Sequence, residues 1–343
     1  MSQPGALLAA AGIARDFGDI ASEARACRLG SALFDFSFLS RAHVRGRGAL
    51  GAIARLTTRP FDRLVRGRIG YALRTDGHGH VVADITVWCL GADDYEVYSG
   101  RALDVADLFA MSGRDADVAD LSRETAVLAV QGPHSLRALA AVAPVDALAR
   151  IPYFGHIELV LNGALVRIGR LGYTGERGFE IVAPRSMKEV LWAQLSAHAR
   201  PAGFAAADVL RIEAGLILFT NELVLPVTAL ELGLGRFAGA TDAPPRVKLI
   251  SFQALAEHDP ILLEPMRRFP PASGTITVTS ACRSALARGV LGLGYVLAGE
   301  AARIKFADPT GRYRTIRQTS LPFYDPYKRA PRGGWGADDL LPR

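Results

Sequence analysis

A chain of 343 residues, half of them hydrophobic and 22% charged, can bury a real core, is not composed like a disordered protein, and is long enough for two or three domains. Its formal charge of +6 is carried by single basic residues scattered among acids; Arg63, Arg66 and Arg68 and a C-terminal group from Arg312 to Arg332 are the concentrations, without the interleaved aromatics of a nucleic-acid platform, so no nucleic-acid partner is expected. No apolar run approaches the ~20 residues of a membrane span, Met1–Arg15 lacks the basic region of a signal peptide, and Cys27, Cys89 and Cys282 lie far apart with no CxxC, which argues against a disulfide framework or zinc site and fits a reducing cytoplasm.

In chain order, residues 17–30 read as a helix with Ile20, Ala24 and Cys27 on one face. Strands are expected at Leu33–Phe38 and Ala42–Arg45, a helix over 49–56, and strands over 69–75 and 81–90 joined by the turn Asp76-Gly-His-Gly-His80. Tyr95–Ser99 is a further strand and 102–112 a helix. The pattern then partly repeats: strand Ala126–Val130, turn Gln131-Gly-Pro133, helix Ser135–Val142, a hairpin over Ile157–Ile168 around Asn162-Gly163, strand Gly178–Val182, and helices Met187–His198 and Ala205–Ala214. Two similar α+β halves without regular βαβ alternation argue against a doubly wound sheet. Asp242-Ala-Pro-Pro245 reads as a boundary and the proline-rich 259–275 as irregular. Short strands at Thr275–Thr279, Val290–Val296 and Ala302–Phe306 suggest a small β-barrel, and the tail from Pro331 is expected to be mobile.

Gly46-Arg-Gly48-Ala-Leu-Gly51 matches GxGxxG between a strand and a helix, the local context of a dinucleotide fingerprint. The hairpin that follows, in place of a parallel crossover, favours a plain glycine-rich turn. His78 and His80 flank Gly79 with no cluster to complete a metal site, and no GxSxG elbow is present; no metal is expected. The most informative stretch is Gly172-Tyr-Thr-Gly-Glu-Arg-Gly-Phe-Glu180-Ile181, a glycine-rich loop delivering an acid onto a strand. Glu180 alternates with Phe179 and Ile181, so it faces either solvent, the commoner outcome, or a cavity.

That stretch resembles the G-Y-T-G-E-x-G-F/Y-E signature of the glycine-cleavage T-protein (aminomethyltransferase) family. Further matches follow in order. Leu33-Phe-Asp-Phe-Ser37 resembles L/M-F-D-V-S, and Leu56-Thr-Thr58 resembles L-T-T. His80-Val-Val-Ala-Asp84-Ile-Thr-Val resembles G-G-x-x-D-D-L-x-V, and Val130-Gln-Gly-Pro133 resembles L/V-Q-G-P. Leu210-Arg-Ile-Glu-Ala-Gly215 resembles L-R-L-E-A-G, and Phe219-Thr-Asn-Glu-Leu223 resembles Y-G-x-E/D-L/M. Thr279-Ser280 with Gly292-Leu-Gly-Tyr-Val296 resembles T-S-G…G-x-G-Y-V, and Pro322-Phe-Tyr-Asp-Pro326 also fits.

The resemblance implies an α+β, three-domain T-protein-like fold. Residues 1–112 and 113–240 would be two related folate-binding α+β domains forming one interlaced unit, 241–330 a small C-terminal β-barrel, and 331–343 a tail. It implies a tetrahydrofolate-dependent one-carbon transferase that takes a methyl or methylene group from a small methylated or aminomethyl donor, with an oxidase or carrier protein as partner. The rivals are a non-catalytic folate-binding protein and a paralogue with a repurposed pocket. The iron–sulfur assembly relatives of this fold carry K-G-C-Y-x-G-Q-E, which is absent here. Glu180 matches the glutamate that accepts from adjacent N–H groups of the pterin. Tyr173 matches a tyrosine that stacks on the cofactor or hydrogen-bonds to it, and Tyr71 matches a pocket tyrosine. The family's catalytic acid lies in an Asp-Asp pair, of which Ala83 replaces the first and Asp84 remains. Gly100 stands where an asparagine often contacts the pterin, with Ser99 as the substitute contact.

Overall fold

A computed structural model of the chain describes residues 8, 11–238, 244–254, 276–287, 289–302, 305–306 and 316–336. The proline-rich 259–275, residues 242 and 243 of the expected boundary, residues 303 and 304 of the expected strand Ala302–Phe306, and the tail beyond 336 lie outside them.

Asp19 caps the first helix, α1 (Ile20–Leu29), by accepting from the amides of Ala21 and Ser22. The next strand, β1 (Ala32–Asp35), is shorter than expected because the Asp35 carboxylate accepts from the Ser37 amide at 2.9 Å and turns the chain. There follow β2 (Ser40–Arg45), α2 (Ala49–Leu56), β3 (Ile69–Thr75), β4 (Val81–Gly91), β5 (Asp94–Ser99), α3 (Ala102–Met111) and β6 (Asp117–Asp120). The last was not expected: Asp-Val-Ala-Asp has little strand propensity of its own, and pairing with β2 fixes it. These strands form an antiparallel sheet in the order β3-β4-β5-β2-β6. Gly46 and Gly48 lie where the chain crosses the Asp115 backbone; a β-carbon on Gly46 would sit 2.6 Å from the Asp115 carbonyl oxygen. The GxGxxG stretch is therefore a close crossing within an antiparallel sheet, not a nucleotide loop.

The second half holds β7 (Thr125–Gln131), α4 (Ser135–Leu139), α5 (Val145–Ala149), β8 (His156–Leu161), β9 (Ala164–Gly169), β10 (Gly178–Pro184), α6 (Lys188–Ser196), β11 (Arg200–Pro201), α7 (Phe204–Glu213) and α8 (Phe219–Glu222). The helix expected over Ser135–Val142 forms but ends at Leu139, and a second short helix not expected, α5, follows with Pro144 at its cap. The Asn162-Gly163 hairpin forms as expected, both residues having positive φ (49° and 79°). The sheet order is β11-β1-β7-β10-β9-β8, so β1 leaves the first half and pairs with β7 and β11. A third sheet, β13-β14-β12-β16-β15, is built from β12 (Val247–Ala254), β13 (Thr277–Arg283), β14 (Val290–Leu297), β15 (Lys305–Phe306) and β16 (Ile316–Thr319). Among the described residues its two outer strands are not paired to each other.

One face of the second sheet, with Leu128, Val130, Phe179 and Ile181, packs on Leu191 and Leu195 of α6. Its other face, with Phe34, Val127, Ala129 and Val182, meets Ile69, Trp88 and Tyr98 of the first sheet and Leu210 of α7. A further cluster joins Leu73 and Val81 of the first sheet to Leu249, Leu293 and Tyr295 of the third. The three sheets thus converge on one point. Among the described residues no helix is long and apolar enough to cross a membrane. The tail is docked up to Gly336: Trp335 stacks on Phe179 at 5.4 Å, so the expected mobility does not hold there.

Candidate active site

Where the sheets converge lies a cavity of about 2470 Å³, walled by Tyr71 and Asp84 of the first sheet, Glu180 of the second, Leu249 and Leu293 of the third, and Tyr173 and Gly100 between them. Strand register explains the first pair. Leu73 opposes Asp84 and Tyr71 opposes Thr86, so Tyr71 and Asp84 are diagonal neighbours on one face, within reach of each other. The Tyr71 hydroxyl and the Asp84 carboxylate interact electrostatically. Burial pushes the Asp84 carboxyl up to about 6, the charge of Asp104 adds to the rise, and the neighbouring Tyr71 hydroxyl opposes it. Burial, followed by the Asp84 charge, holds the Tyr71 hydroxyl well above its usual range, so it stays a donor.

Glu180 pairs with Ala129 and Gly169, which places it on the sheet face turned toward the first sheet. Of the two outcomes that alternation allowed, the structure gives the cavity. Glu180 has no hydrogen bond or ion pair among the described residues, and burial alone raises its carboxyl to about 7. A half-buried carboxylate with no protein partner costs free energy unless something enters to donate to it.

The loop before Glu180 is held by Gln131 of the Gln-Gly-Pro turn. Its amide donates to the carbonyls of Leu171 (3.1 Å) and Phe179 (3.3 Å), and its oxygen accepts from Thr174 (3.1 Å). A β-carbon on Gly172 would fall 1.9 Å from that oxygen, so this position must be glycine. The Tyr173 hydroxyl donates to the Ile217 carbonyl at 2.6 Å, which commits the hydroxyl to the protein and leaves the ring at the cavity wall.

Ser99 reaches the rim but opposes Ile85, on the other face of the strand from Tyr98, and its hydroxyl donates to Asp104 and accepts from the Arg101 amide. The structure therefore brings Tyr71, Asp84, Tyr173 and Glu180 together and engages the Ser99 side chain elsewhere. Gly100 faces open space; a β-carbon there would meet nothing within 4 Å. His80 and Asp76 lie on the rim, and no group of three or more His, Cys, Asp or Glu among the described residues could hold a metal.

Several quoted motifs turn out to be scaffold. Arg211, fully buried, pairs with Asp208 (2.8 Å) and Glu222 (3.0 Å) and donates to Ser280 (2.6 Å). Glu222 in turn accepts from Thr279 at 2.8 Å and Ser280 at 2.5 Å. This network ties α7 and α8 to the third sheet. Beside it Arg28 bridges Glu176 (3.1 Å) and Glu213 (2.7 Å) under the ring of Tyr324. A second network went unforeseen. Glu96, fully buried, binds Arg41 of its own sheet, Arg167 of the facing sheet at 2.9 Å, and the Tyr98 hydroxyl at 2.6 Å. It staples the two sheets beneath the cavity.

The GCVT N-terminal domain family model matches residues 12–241. An aminomethyltransferase of Geobacillus kaustophilus is 31% identical over 331 residues, covering 90% of this chain and 91% of the relative. One of Geobacillus thermodenitrificans is 35% identical over 237 residues, 67% of this chain; the match spans 65% of that relative's length. Among solved structures, the glycine cleavage system aminomethyltransferase T of Bartonella henselae superposes with a TM-score of 0.73 over 92% of this chain and 91% of its own, at 22% identity, which speaks for the same mixed α/β fold.

Proposed function

This chain belongs to the aminomethyltransferase family marked by the GCVT N-terminal domain, and from that premise we propose that it is a tetrahydrofolate-dependent one-carbon transferase. The observation that carries the reading is Glu180, a carboxylate with no protein partner facing the cavity from the sheet opposite Asp84. The residues fit a pterin. Glu180 accepts from its paired donors, the Tyr173 ring offers a flat apolar surface, and the space beside Gly100 leaves room for it. Tetrahydrofolate, when bound, supplies the amine nitrogens that accept the one-carbon unit.

Asp84 is the catalytic residue in this reading. Its carboxyl titrates near 6, close to working pH, where a group can both take and return a proton. Its negative charge in a half-buried wall stabilises positive charge that develops as the donor's carbon–heteroatom bond breaks. Tyr71 beside it favours the ionised carboxylate. The donor is a small methylated or aminomethyl compound, free or presented by a carrier-protein or oxidase partner. The three sheets support a division into an interlaced folate-binding unit over 1–112 and 113–240 and a third domain over 241–330 that completes a small β-barrel.

The test is calorimetric titration of the purified chain with tetrahydrofolate, followed by turnover with a panel of methylated amines, sulfonium compounds and methoxyl donors. Binding with turnover of one donor class supports the proposal. Binding without turnover of any donor points to the non-catalytic alternative, and no binding at millimolar tetrahydrofolate rejects both.

A further inference from the structure

Four charged side chains meet at the back of β4. Arg74 opposes Ala83 across β3 and β4, and Arg101, at the cap of α3, donates to the Val82 carbonyl at 3.3 Å. Two arginines thus come to the stretch of β4 just before Asp84, and Ala83 has no acid to offer them. Asp104, in the first turn of α3 and 1% exposed, supplies one. It accepts from Arg74 and from the Ser99 hydroxyl, and lies 3.7 Å from Arg101. Arg74 also donates to Asp107, further along α3. The four side chains carry two positive and two negative charges, so the cluster is balanced, as a buried carboxylate requires.

Strand register shows how this cluster sits relative to the cavity acid. Ala83, opposite Arg74, and Ile85, opposite Ser99, alternate with Asp84 and so lie on the other face of the strand. The charge of Asp104 nevertheless reaches Asp84 from behind. The other titratable groups that bear on Asp84 are the hydroxyls of Tyr71, from β3, and Tyr173, from the glycine-rich loop, and burial keeps both of them protonated. Among these neighbours Asp104 alone is charged.

We propose that Asp104 is a positioning residue for the transfer reaction, a second carboxylate fixed behind β4 by Arg74 and Arg101, against whose charge Asp84 works. This rests on the function proposed above in one respect, that Asp84 is the acid of the reaction. The charge balance gives the sign of each change. Without the charge of Asp104 the cluster has one excess positive charge, which favours ionised Asp84. Without the charge of Arg101 it has one excess negative charge, which favours the protonated form.

The test reads the Asp84 proton directly, by carbon-13 resonance of the full chain labelled at its aspartate carboxyls. Asp84 is the resonance that disappears in Asp84→Asn. Asp104→Asn should lower the pH at which it titrates by about half a unit or more, and Arg101→Gln should raise it by a similar amount. The Arg101 side chain is 34% exposed, so its variant keeps the fold even where Asp104→Asn loosens the buried cluster. The acidic limb of the rate profile should move in the same direction as the resonance in each variant. A merely structural role would lower the melting temperature and leave both titrations in place. An Asp84 titration that fails to fall in Asp104→Asn, or, where that variant does not fold, fails to rise in Arg101→Gln, overturns the proposal. Titrations that move apart as expected in a protein that turns over no donor uphold the coupling of the two acids, and it is then the transferase reading that fails.

Discussion

Tyr71 and Asp84 occupy diagonal positions on one face across β3 and β4, so strand pairing sets the phenol beside the acid. Asp84→Asn should lower turnover by about 10²-fold or more and leave tetrahydrofolate affinity close to that of the parent. Steady-state rates beside calorimetric titration check this; a variant that turns over normally removes Asp84 from the chemistry. The Tyr71 hydroxyl lowers the Asp84 pKa, so Tyr71→Phe should move the acidic limb of the rate profile, near pH 6 in the parent, to higher pH.

Glu180→Gln should weaken tetrahydrofolate by about 1.5–3 kcal/mol, the scale of a hydrogen bond to a charged acceptor. Because burial lifts the Glu180 carboxyl to about 7, affinity in the parent should fall as pH drops through that value, and the variant should lose this dependence. Titration calorimetry at pH 6 and pH 8 reads both effects.

Both cavity acids hold their protons more tightly in the folded chain than in the unfolded one, so each ionised form opposes folding. Their penalty is fully present above about pH 7. It is relieved as pH falls through about 7 for Glu180 and about 6 for Asp84, and is gone below the ordinary carboxylate range. Melting temperatures of the parent should therefore gain a contribution on acidification from pH 8 to pH 5 that the double variant Asp84→Asn/Glu180→Gln lacks. At pH 8 the double variant should melt higher than the parent.

Gly100→Asn introduces a side chain into open space at the cavity edge, at a backbone position without positive φ. It should preserve tetrahydrofolate affinity or raise it by up to ~1 kcal/mol, the worth of one neutral hydrogen bond. A large loss of affinity would show that the ligand already fills that space.

Removing the shared acid of the buried staple, as in Glu96→Ala, leaves Arg41 without its carboxylate between the sheets, while Arg167 keeps Glu158 at 2.8 Å. Breaking such a pair costs about 3–5 kcal/mol. Denaturant unfolding should show the midpoint drop accordingly, while Arg45→Ala, which breaks an exposed pair with Asp117, should change it little.

The candidate site was legible where local pattern carried it. Asp84 and Glu180 each sit on an alternating strand beside a turn, and the glycine-rich loop announces itself in a single stretch. The direction of Glu180 was not legible, because alternation separates two faces without saying which one meets another sheet. The commitment of the Ser99 hydroxyl was hidden for a similar reason: its partner Asp104 belongs to the following helix, and only strand register shows that Ser99 looks away from the face of Tyr98. Glu96 with Arg41 and Arg167 was invisible as a group because its members lie far apart in the chain. Strand β6 was missed because its pairing partner, not its own residues, makes it a strand.

The exchange of β1 into the second sheet has a consequence for how the molecule comes into being. The first sheet has all its strands once residue 120 has been made, and it can close while the rest is still being synthesised. Ala32–Asp35, present from the start, must wait until β7 and then Arg200–Pro201 have followed. Throughout that interval the apolar Leu33 and Phe34 have no strand to cover them, at a rate of synthesis of about 5–20 residues per second. The early part of the nascent chain therefore presents an unpaired hydrophobic segment, which makes it a natural client for a chaperone on the ribosome and a poor choice for expression as a separate half.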